Sequence, residues 1–547
     1  MVCSLQQSEA AAEEYKNIPV FQLHANINWA PRTCLAGRTE MQSGKCAVCL
    51  AEAALQCAGC RSVFYCGKGH QKSHWSGHKA QCRPVIVQEH PVLGRHLVAT
   101  RDIKQGELII REAPLLLGPK IASTPICLGC NQEADLNCPC PGCGWPMCSL
   151  DCSSALAHQG ECHLMQTKEF RAKISEAHRP LPDYAFITPL RALLLPPNKL
   201  ATLRSLQSHL ETRKKTPLYN LLKYNVVSFI KDRLGLNFSE DEILEACAIL
   251  DTNAFEMRCG KMRFRGIFPQ VAMMAHDCIP NTRHLFDSNN TLELFATVNI
   301  KKDQSVTATY TQPFWGTLAR RAHLRSAKCF DCACQRCADP EELETYLGAI
   351  RCSECDEGMV ISESPLEDMA SWTCKLCGCE LPAEQIYWLN QSITKEIELL
   401  DKSGPDQLEM FLEKYQEILH TSNGHVLQVK LALVQIYGNK RSEDMSEEQQ
   451  VRKISLAEEL LQVLAILEPG ITRTRAQLQM ELQPVKVLRA KADFEAGNLS
   501  KEQTESTINT AIQELQIAAD VLKTEPELTV KSLEKLQFVS SLKSLLG

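Results

Sequence analysis

The sequence predicts an α+β protein of several domains, in which metal-binding modules and a β-rich core precede an all-helical C-terminal part. Three observations predict this fold class. Cysteines and histidines recur in blocks with zinc-ligand spacing, short alternating apolar stretches flank turn residues, and the last third of the chain places apolar residues every three or four positions. A chain of 547 residues is too long for one core and suggests about three or four domains.

Composition narrows the class of protein and its compartment. Hydrophobic residues make up 44% of the chain and charged residues 23%, as in ordinary globular proteins. No apolar run reaches the roughly 18 residues of a membrane span. The opening stretch MVCSLQQSEAAAEEYKN is polar and acidic, so we expect no secretory or transit signal and a cytoplasmic or nuclear location. In such a reducing compartment, 28 cysteines indicate metal binding rather than disulfides.

The first cysteine block reads CAVC, CAGC and YCGKGHQKSHWSGHKAQC. Its eight candidate ligands fit two tetrahedral zinc ions, each with four sulfur or nitrogen ligands. Alternate pairs are expected to interleave, which leaves His74 as a surface or packing residue. The two predicted ligand sets are Cys46, Cys49, Cys66 and His70, and Cys57, Cys60, His78 and Cys82. The alternative, that these cysteines are small core hydrophobes, does not explain the repeated spacing.

Three further blocks bring the expected number of structural zinc ions to about six. The second block repeats the layout of the first, with Cys138 and His163 as alternative ligands. Its candidate ligands are Cys127, Cys130, Cys140, Cys143, Cys148, Cys152, His158 and Cys162. The third block, CFDCACQRC, supplies Cys332, Cys334 and Cys337 and needs a fourth ligand from elsewhere. The fourth resembles a zinc ribbon, with Cys379 beside the ligands Cys352, Cys355, Cys374 and Cys377.

Stretches between and after these blocks predict strands and helices. Residues 94–119 alternate around a KQGE turn and predict a β-hairpin. Within 266–310, an NN turn precedes the strands TLELFATVNI and SVTATY, which on period alone predict a small antiparallel β-domain. Ser239 followed by Glu242 predicts a helix-capping box. From about residue 383 the spacing predicts antiparallel helices that end near Gly470 and Gly497. No clean repeat is visible in this stretch, so a plain helical bundle remains open.

These motifs resemble those of the SET and MYND domain-containing (SMYD) protein-lysine methyltransferases. YCGKGHQKSHWSGHKAQC resembles the MYND finger, and GRHLVATRDIKQGE resembles the opening strands of the SET domain. HDCIPN is similar to the family's NHSC-x-PN segment, and CFDCACQRC to its post-SET zinc segment, whose fourth ligand would be Cys278. The extra finger and the ribbon resemble the divergent arthropod-type SmydA branch.

The resemblance implies an order of domains along the chain. This order is an N-terminal extension (1–45), a MYND-type zinc finger (46–82), the N-terminal part of the SET domain (83–126), a second MYND-like finger (127–162), a helical insert (163–250), the SET core (251–315), a post-SET zinc segment (316–340), a zinc ribbon (341–382) and a TPR-like helical domain (383–547).

The resemblance also implies S-adenosylmethionine (SAM) as cofactor and roles for individual residues. Tyr310 aligns with a tyrosine of the family's lysine channel and is the candidate catalytic residue. The candidate cofactor-binding residues are Arg95, His96, Ala275, His276, Tyr310 and Phe330. Without the family context, a tyrosine at the end of a strand is more often a packing residue.

Three departures from the family pattern bear on activity. His96 replaces the second glycine of a turn that approaches the cofactor, and Lys328 replaces a second channel tyrosine. Ala275 stands where the family has an asparagine, and the lost hydrogen bond to a charged amine is worth roughly 1.5–3 kcal/mol.

Two functions follow as hypotheses. The leading one is a SAM-dependent protein-lysine methyltransferase with a histone or non-histone protein substrate. The alternative is a weak or inactive adaptor, for example in transcriptional regulation. In both, protein partners would bind the MYND finger and the helical tail. We expect no membrane binding, and the net charge of −6 and the lack of a basic recognition helix disfavour direct sequence-specific DNA binding.

Overall fold

The computed structural model describes residues 44–57, 63–121, 123–172, 184–259, 262–355, 357–523 and 525–544. The predicted N-terminal extension lies almost wholly outside these ranges. The first described module consists of β1 (Gly44–Lys45), β2 (Glu52–Ala53), β3 (Leu55–Gln56), β4 (Phe64–Tyr65) and α1 (Lys68–Cys82). β1 pairs with β2 and β3 with β4, both antiparallel. Such small hairpins bury little apolar surface, so metal ligands are needed to hold the module together.

Four strands follow this module: β5 (Val85–His90), β6 (Gly94–Ala99), β7 (Leu108–Glu112) and β8 (Leu116–Pro119). β5 and β6 form an antiparallel pair. The predicted hairpin over 94–119 is wrong, because β6 and β7 are both strands but do not pair with each other. The turn between them is tied to the downstream core instead, through a bridge between Ile103 and Ile300. Both side chains are buried, so long-range packing outweighs the local turn signal here.

The second finger and a helical insert come next. The finger contains β9 (Asp135–Pro139), β10 (Pro146–Met147), a 3-10 helix (Leu150–Ser154) and α2 (Leu156–Thr167). The insert contains α3 (Ile187–Leu193), α4 (Pro197–Arg204), α5 (Leu210–Arg213), α6 (Pro217–Leu222), two π-helical turns (Lys223–Val227 and Phe229–Arg233) and α7 (Glu240–Asn253). The predicted capping box of Ser239 and Glu242 begins α7.

The SET core consists of short strands around one 3-10 turn (Val271–Met273). They are β11 (Phe255–Cys259), β12 (Met262–Ile267), β13 (Ala275–His276), β14 (Thr282–Phe286), β15 (Leu292–Ala296) and β16 (Thr307–Ala308). Two antiparallel sheets have the orders β11-β12-β8 and β14-β15-β7. The NN turn between β14 and β15 is confirmed, with Asn290 in the left-handed region. The all-antiparallel prediction is wrong for SVTATY, because β16 pairs in parallel with β13.

The post-SET segment and the ribbon connect the SET core to the C-terminal helices. The segment contains α8 (Thr317–His323), a π-helical turn (Leu324–Lys328) and α9 (Gln335–Ala338). The ribbon is one antiparallel sheet of β17 (Ile350–Arg351), β18 (Met359–Ser362), β19 (Trp372–Cys374) and β20 (Glu380–Leu381), in that order.

The C-terminal part is helical, as predicted. It contains α10 (Ala383–Leu399), α11 (Asp406–Tyr415), α12 (Gly424–Tyr437), a 3-10 turn (Ser442–Asp444), α13 (Glu447–Leu467), α14 (Arg473–Glu495), α15 (Lys501–Leu522) and α16 (Pro526–Ser544). Gly470 and Gly497 follow α13 and α14 with positive φ, so both predicted stops are confirmed. Each of α13, α14 and α15 packs on the helix that follows it. This arrangement fits either a repeat array or a bundle, and the TPR-like assignment stays a prediction.

Two large hydrophobic cores hold these parts together. The first joins the second finger, the helical insert and the SET strands, and the second joins the ribbon to the helices from α10 to α14. The helical part also touches the SET core directly, where the Ile471 amide donates to the carbonyl of Thr297. Within the described part of the chain, no helix is long and apolar enough to cross a membrane.

Candidate functional site

The first finger brings its predicted ligands together in space. Cys46, Cys49, Cys66 and His70 converge on one point, with all ligand atoms within 4.8 Å of one another. This group joins the knuckle before β2 to the start of α1, as the predicted interleaving requires. In the second predicted set, the sulfur atoms of Cys57 and Cys82 are 3.5 Å apart. Cys60 of that set lies outside the described residues. His74 has a packing role, since its Nδ1 atom is 3.0 Å from the hydroxyl of Tyr65.

The second finger repeats the interleaved arrangement. One group consists of Cys127, Cys130, Cys148 and Cys152, and the other of Cys140, Cys143, His158 and Cys162. The post-SET cysteines Cys332, Cys334 and Cys337 meet Cys278, which lies 54 residues before the first of them. The ribbon gathers Cys352, Cys355, Cys374 and Cys377. The alternative ligands Cys138, His163 and Cys379 belong to none of these groups.

The sulfur geometry fits zinc. Sulfur atoms 2.3 Å from a tetrahedral zinc ion lie roughly 3.8 Å apart, whereas a disulfide would bring them to about 2.05 Å. The observed separations are 3.4 Å for Cys130 and Cys148, 3.6 Å for Cys352 and Cys377, and 3.5 Å for Cys278 and Cys337. Four protein ligands in each group leave no open position, so these are structural rather than catalytic sites.

Two buried arginines and one buried glutamate surround the post-SET sulfur atoms. Arg320 donates to the sulfur atoms of Cys278 and Cys337 at 3.2 and 3.3 Å. Its guanidinium also pairs with Glu342, as does that of Arg336. Because a zinc ion with four thiolates carries two negative charges, these cations balance charge that burial would otherwise make costly.

Next to this zinc site, three rings from separate segments form a cluster. The ring centre of His276, on β13, lies 5.1 Å from that of Tyr310, just after β16, and 5.7 Å from that of Phe330. His276 Nδ1 accepts a hydrogen bond from the Tyr310 amide, which leaves Nε2–H to donate to the sulfur of Cys278, 3.4 Å away. The Tyr310 hydroxyl donates to the Met274 carbonyl at 2.7 Å. His276 therefore connects the post-SET metal site to the candidate catalytic tyrosine.

Burial sets the protonation of this cluster. It lowers the pKa of His276 to about 4 and raises the pKa of Tyr310 to about 12. Both side chains are consequently neutral at physiological pH, which agrees with the hydrogen bonds they make.

Lys328 reaches into the same cluster from the end of its π-helical turn. Its ammonium donates to the carbonyl of Thr252 at 2.7 Å and lies 3.4 Å from the carbonyl of Asp251. It also lies 5.3 Å from the centre of the Tyr310 ring, within the range of a cation–π contact. Burial, together with the nearby charge of Arg213, lowers the pKa of Lys328 to about 8. The protein thus places its own lysine amine against the candidate channel tyrosine.

The remaining candidate cofactor residues lie on two strands that contact each other, β6 and β13. His96 is buried on β6, and its ring packs against His90. Arg95 is exposed, and its guanidinium donates to the carbonyl of Ser205 in the helical insert. Ala275 is buried on β13 and offers no side-chain acceptor. The rings of His276, Tyr310 and Phe330 offer flat faces on which an aromatic base could stack.

Comparisons with known proteins agree with this architecture. The MYND finger description matches residues 46–82 and the SET domain description matches residues 94–311. The chain is therefore a protein with a MYND finger and a SET domain, and the predicted fold class is confirmed.

Similar proteins include members of the predicted branch. The chain is 27% identical to SET domain-containing protein SmydA-8, isoform A, of Drosophila melanogaster, over 73% of this chain and 87% of that protein. It is 26% identical to N-lysine methyltransferase SMYD2 of Homo sapiens, over 40% of this chain and 48% of that protein. A solved SET domain of LSMT bound to lysine and AdoHcy covers 87% of this chain and 91% of its own, with a TM-score of 0.25 and 12% identity.

Several functional contacts were outside the reach of sequence reasoning. Arg320 lies before the post-SET cysteines and Arg336 lies among them, and cations beside thiolate ligands are the one signal that could have indicated a buried charge network. Glu342, by contrast, lies after the block and carries no motif. The carbonyl groups that hold Lys328 belong to the end of α7 and have no sequence signature at all.

Proposed function

We propose that the chain is a SAM-dependent protein-lysine N-methyltransferase that acts on a histone or another protein. The observation that carries the proposal is the cluster of His276, Tyr310 and Phe330, which a structural zinc site holds in one place. The matched SET domain and the similarity to a protein named N-lysine methyltransferase support the same reaction class.

The cluster's residues have distinct roles in this proposal. When bound, SAM supplies an electrophilic methyl group for transfer to an uncharged lysine amine. Phe330 and His276, with the strands that carry His96 and Ala275, would hold the cofactor. Tyr310 would line the acceptor channel, where its ring attracts a lysine cation and its buried surroundings favour loss of the proton. Exclusion of water by the surrounding core strengthens each of these polar contacts.

A second candidate function, a non-catalytic adaptor, is favoured by Lys328. Its ammonium already makes a hydrogen bond and a contact with the Tyr310 ring, which are the contacts that a substrate lysine would make there. Ala275 adds to this argument, because a missing hydrogen bond to a charged amine weakens cofactor binding about ten- to a hundredfold. In an adaptor, the SET core would serve as a scaffold and the finger and the helices would bind partner proteins.

Calorimetry with SAM on the full-length, zinc-loaded protein separates the two functions. Under the methyltransferase proposal the wild type releases heat on binding, and Ala275→Asn binds SAM about tenfold or more tightly. The absence of any heat at millimolar SAM, in the wild type and in Ala275→Asn, would reject the enzyme and leave the adaptor. Unchanged affinity in Ala275→Asn would show that this position does not face the cofactor.

Partners and location are part of the same proposal. The MYND finger is suited to binding protein partners, and the helical surface from α10 to α16 offers a second site. A cytoplasmic or nuclear location fits a chain in which the cysteines serve as zinc ligands rather than as disulfides.

A further inference from the structure

The amine of Lys328 lies inside the protein without a carboxylate partner. It donates to the Thr252 carbonyl at 2.7 Å and lies 3.4 Å from the Asp251 carbonyl oxygen. The Asp251 carboxylate pairs with Arg265 instead, at 3.0 Å. Over the ranges that the structure describes, no acidic side chain forms an ion pair with Lys328. A desolvated cation without such a partner destabilises a fold, and groups of this kind mark candidate functional sites.

The chain on both sides of Lys328 holds the amine in place. Arg213, at the end of α5, donates to the Ala327 carbonyl at 2.7 Å and to the Thr252 hydroxyl at 3.0 Å. It therefore fixes both the residue before Lys328 and the residue whose carbonyl accepts from the amine. Directly after Lys328, the left-handed conformation of Cys329 ends the π-helical turn. The position of the amine is thus defined by its neighbours along the chain and in space.

The amine lies beside both parts of the candidate active site. Its nitrogen is 5.3 Å from the centre of the Tyr310 ring, which would line the acceptor channel. Phe330, two residues further along the chain, places its ring centre 5.7 Å from that of His276. The short segment that carries the amine therefore also carries one ring of the candidate cofactor site.

A methyl acceptor must be an uncharged amine, and the surroundings of Lys328 favour that form. The charged or titratable groups around it are Arg213, Asp251, Cys329, Tyr310 and His323. Burial and then the charge of Arg213 lower the pKa of Lys328 to about 8, against a smaller opposite effect of Asp251 and Cys329. At about pH 7.4, roughly a fifth of the amine is neutral, whereas an ordinary lysine is neutral in about one molecule in a thousand.

We propose that Lys328 is methylated intramolecularly by its own chain, and this rests on the proposed function, in which SAM supplies the methyl group. The ammonium first releases a proton to water. The lone pair of the neutral amine then forms a bond to the methyl carbon, while the carbon–sulfur bond breaks and its electron pair stays on sulfur. The products are a methylammonium on Lys328 and S-adenosylhomocysteine. Because the amine is already held in place, no second molecule has to be positioned.

The modified side chain fits the same surroundings. A monomethylammonium keeps two N–H groups, which are enough for the carbonyl groups of Thr252 and Asp251. We therefore expect the methylated Lys328 to stay in the channel, where it would continue to occupy the place of a substrate lysine.

Mass spectrometry with SAM that carries a trideuterated methyl group tests the proposal, because the label separates new methyl groups from those acquired during expression. The full-length, zinc-loaded protein should acquire the label at Lys328. The first-order rate constant should not change with protein concentration, as an intramolecular reaction requires. The rate should rise about tenfold from about pH 6 to pH 7 and level off above about pH 8, as the amine loses its proton.

Lys214 is the matched control lysine, because it follows α5 directly and its amine pairs with Glu211 and Asp241. These partners raise its pKa, so it should stay charged and take no label. A second measurement needs no methyl transfer. Binding of S-adenosylhomocysteine should shift the NMR signal of labelled Lys328, identified by its absence from Lys328→Met, and should leave the signal of Lys214 in place.

The possible failures are distinguishable. If SAM releases heat on binding but Lys328 takes no label, intramolecular methylation is wrong and the proposed function stands. If no SAM binds, both are wrong. A rate constant that rises with protein concentration would mean that one chain methylates another, which overturns the proposal. An unshifted Lys328 signal in protein saturated with S-adenosylhomocysteine would place the amine away from the cofactor and overturn it as well.

Discussion

The buried guanidinium of Arg320 gives a sharp prediction about the post-SET zinc site. Its side chain is fully buried and makes hydrogen bonds to the sulfur atoms of Cys278 and Cys337 and to Glu342. Arg320→Met keeps a long apolar stem but removes the charge and all of these bonds. The zinc–thiolate group and the Glu342 carboxylate are both negatively charged. In the variant, Arg336 is the buried cation that remains beside them.

The expected magnitude follows from two separate effects. Removing one partner of a buried ion pair costs about 3–5 kcal/mol of folding free energy. Removing a side chain that hydrogen-bonds metal ligands lowers metal affinity about 10- to 100-fold. Arg325→Met is the matched control, because Arg325 lies just after α8 and also forms short ion pairs, with Asp331 and Asp368. The Arg325 side chain is 43% exposed, so its loss should cost no more than about 1 kcal/mol.

Native mass spectrometry during challenge with a zinc chelator provides the assay. Arg320→Met should lose one zinc ion well before the others, and its unfolding temperature should fall clearly below that of the wild type. Arg325→Met should match the wild type in both measurements. The reasoning is refuted if Arg320→Met keeps its full zinc content and its stability, or if the two variants behave alike.

Two further predictions follow from the structure. Gly470→Ala should destabilise the contact between the helices and the SET core by about 2–4 kcal/mol, because its new Cβ would lie 1.8 Å from the Thr297 carbonyl oxygen at a positive φ. Gly497→Ala has a similar φ but open space around it and should cost only about 1–2 kcal/mol, so equal unfolding temperatures for the two variants would contradict the clash. Lys328 should titrate near pH 8 in an NMR experiment on labelled lysine, with its signal identified by its absence from Lys328→Met. Because this pKa lies below the ordinary value of 10.5, the lysine destabilises the fold by about 3 kcal/mol below pH 8, and this penalty fades as the pH rises towards 10.5. A midpoint at the ordinary value would contradict the burial of the amine.

The sequence predicted local structure correctly where the interacting residues are close in the chain. The C-x2-C knuckles, the capping box of Ser239 and the glycine stops at Gly470 and Gly497 all depend on residues within a few positions of one another. Their geometry is set by local backbone conformation, so the pattern carries the information directly. Spacing also predicted the interleaving of the ligands, because those of one finger lie within about 36 residues of one another. The predicted set of Cys46, Cys49, Cys66 and His70 and both groups of the second finger converge, whereas the set that contains Cys60 stays a prediction.

Strand pairing and buried charge were decided by the tertiary structure. The alternation over 94–119 identified β6 and β7 correctly as strands but not their partners, since pairing depends on which distant strand completes the buried face. Cys278 needed the family resemblance because 54 residues separate it from Cys332. The carbonyl groups that bind Lys328 are backbone atoms, and a sequence motif records only side-chain identity. The Glu342 carboxylate pairs with two arginines because folding brings these residues together, which no motif shows.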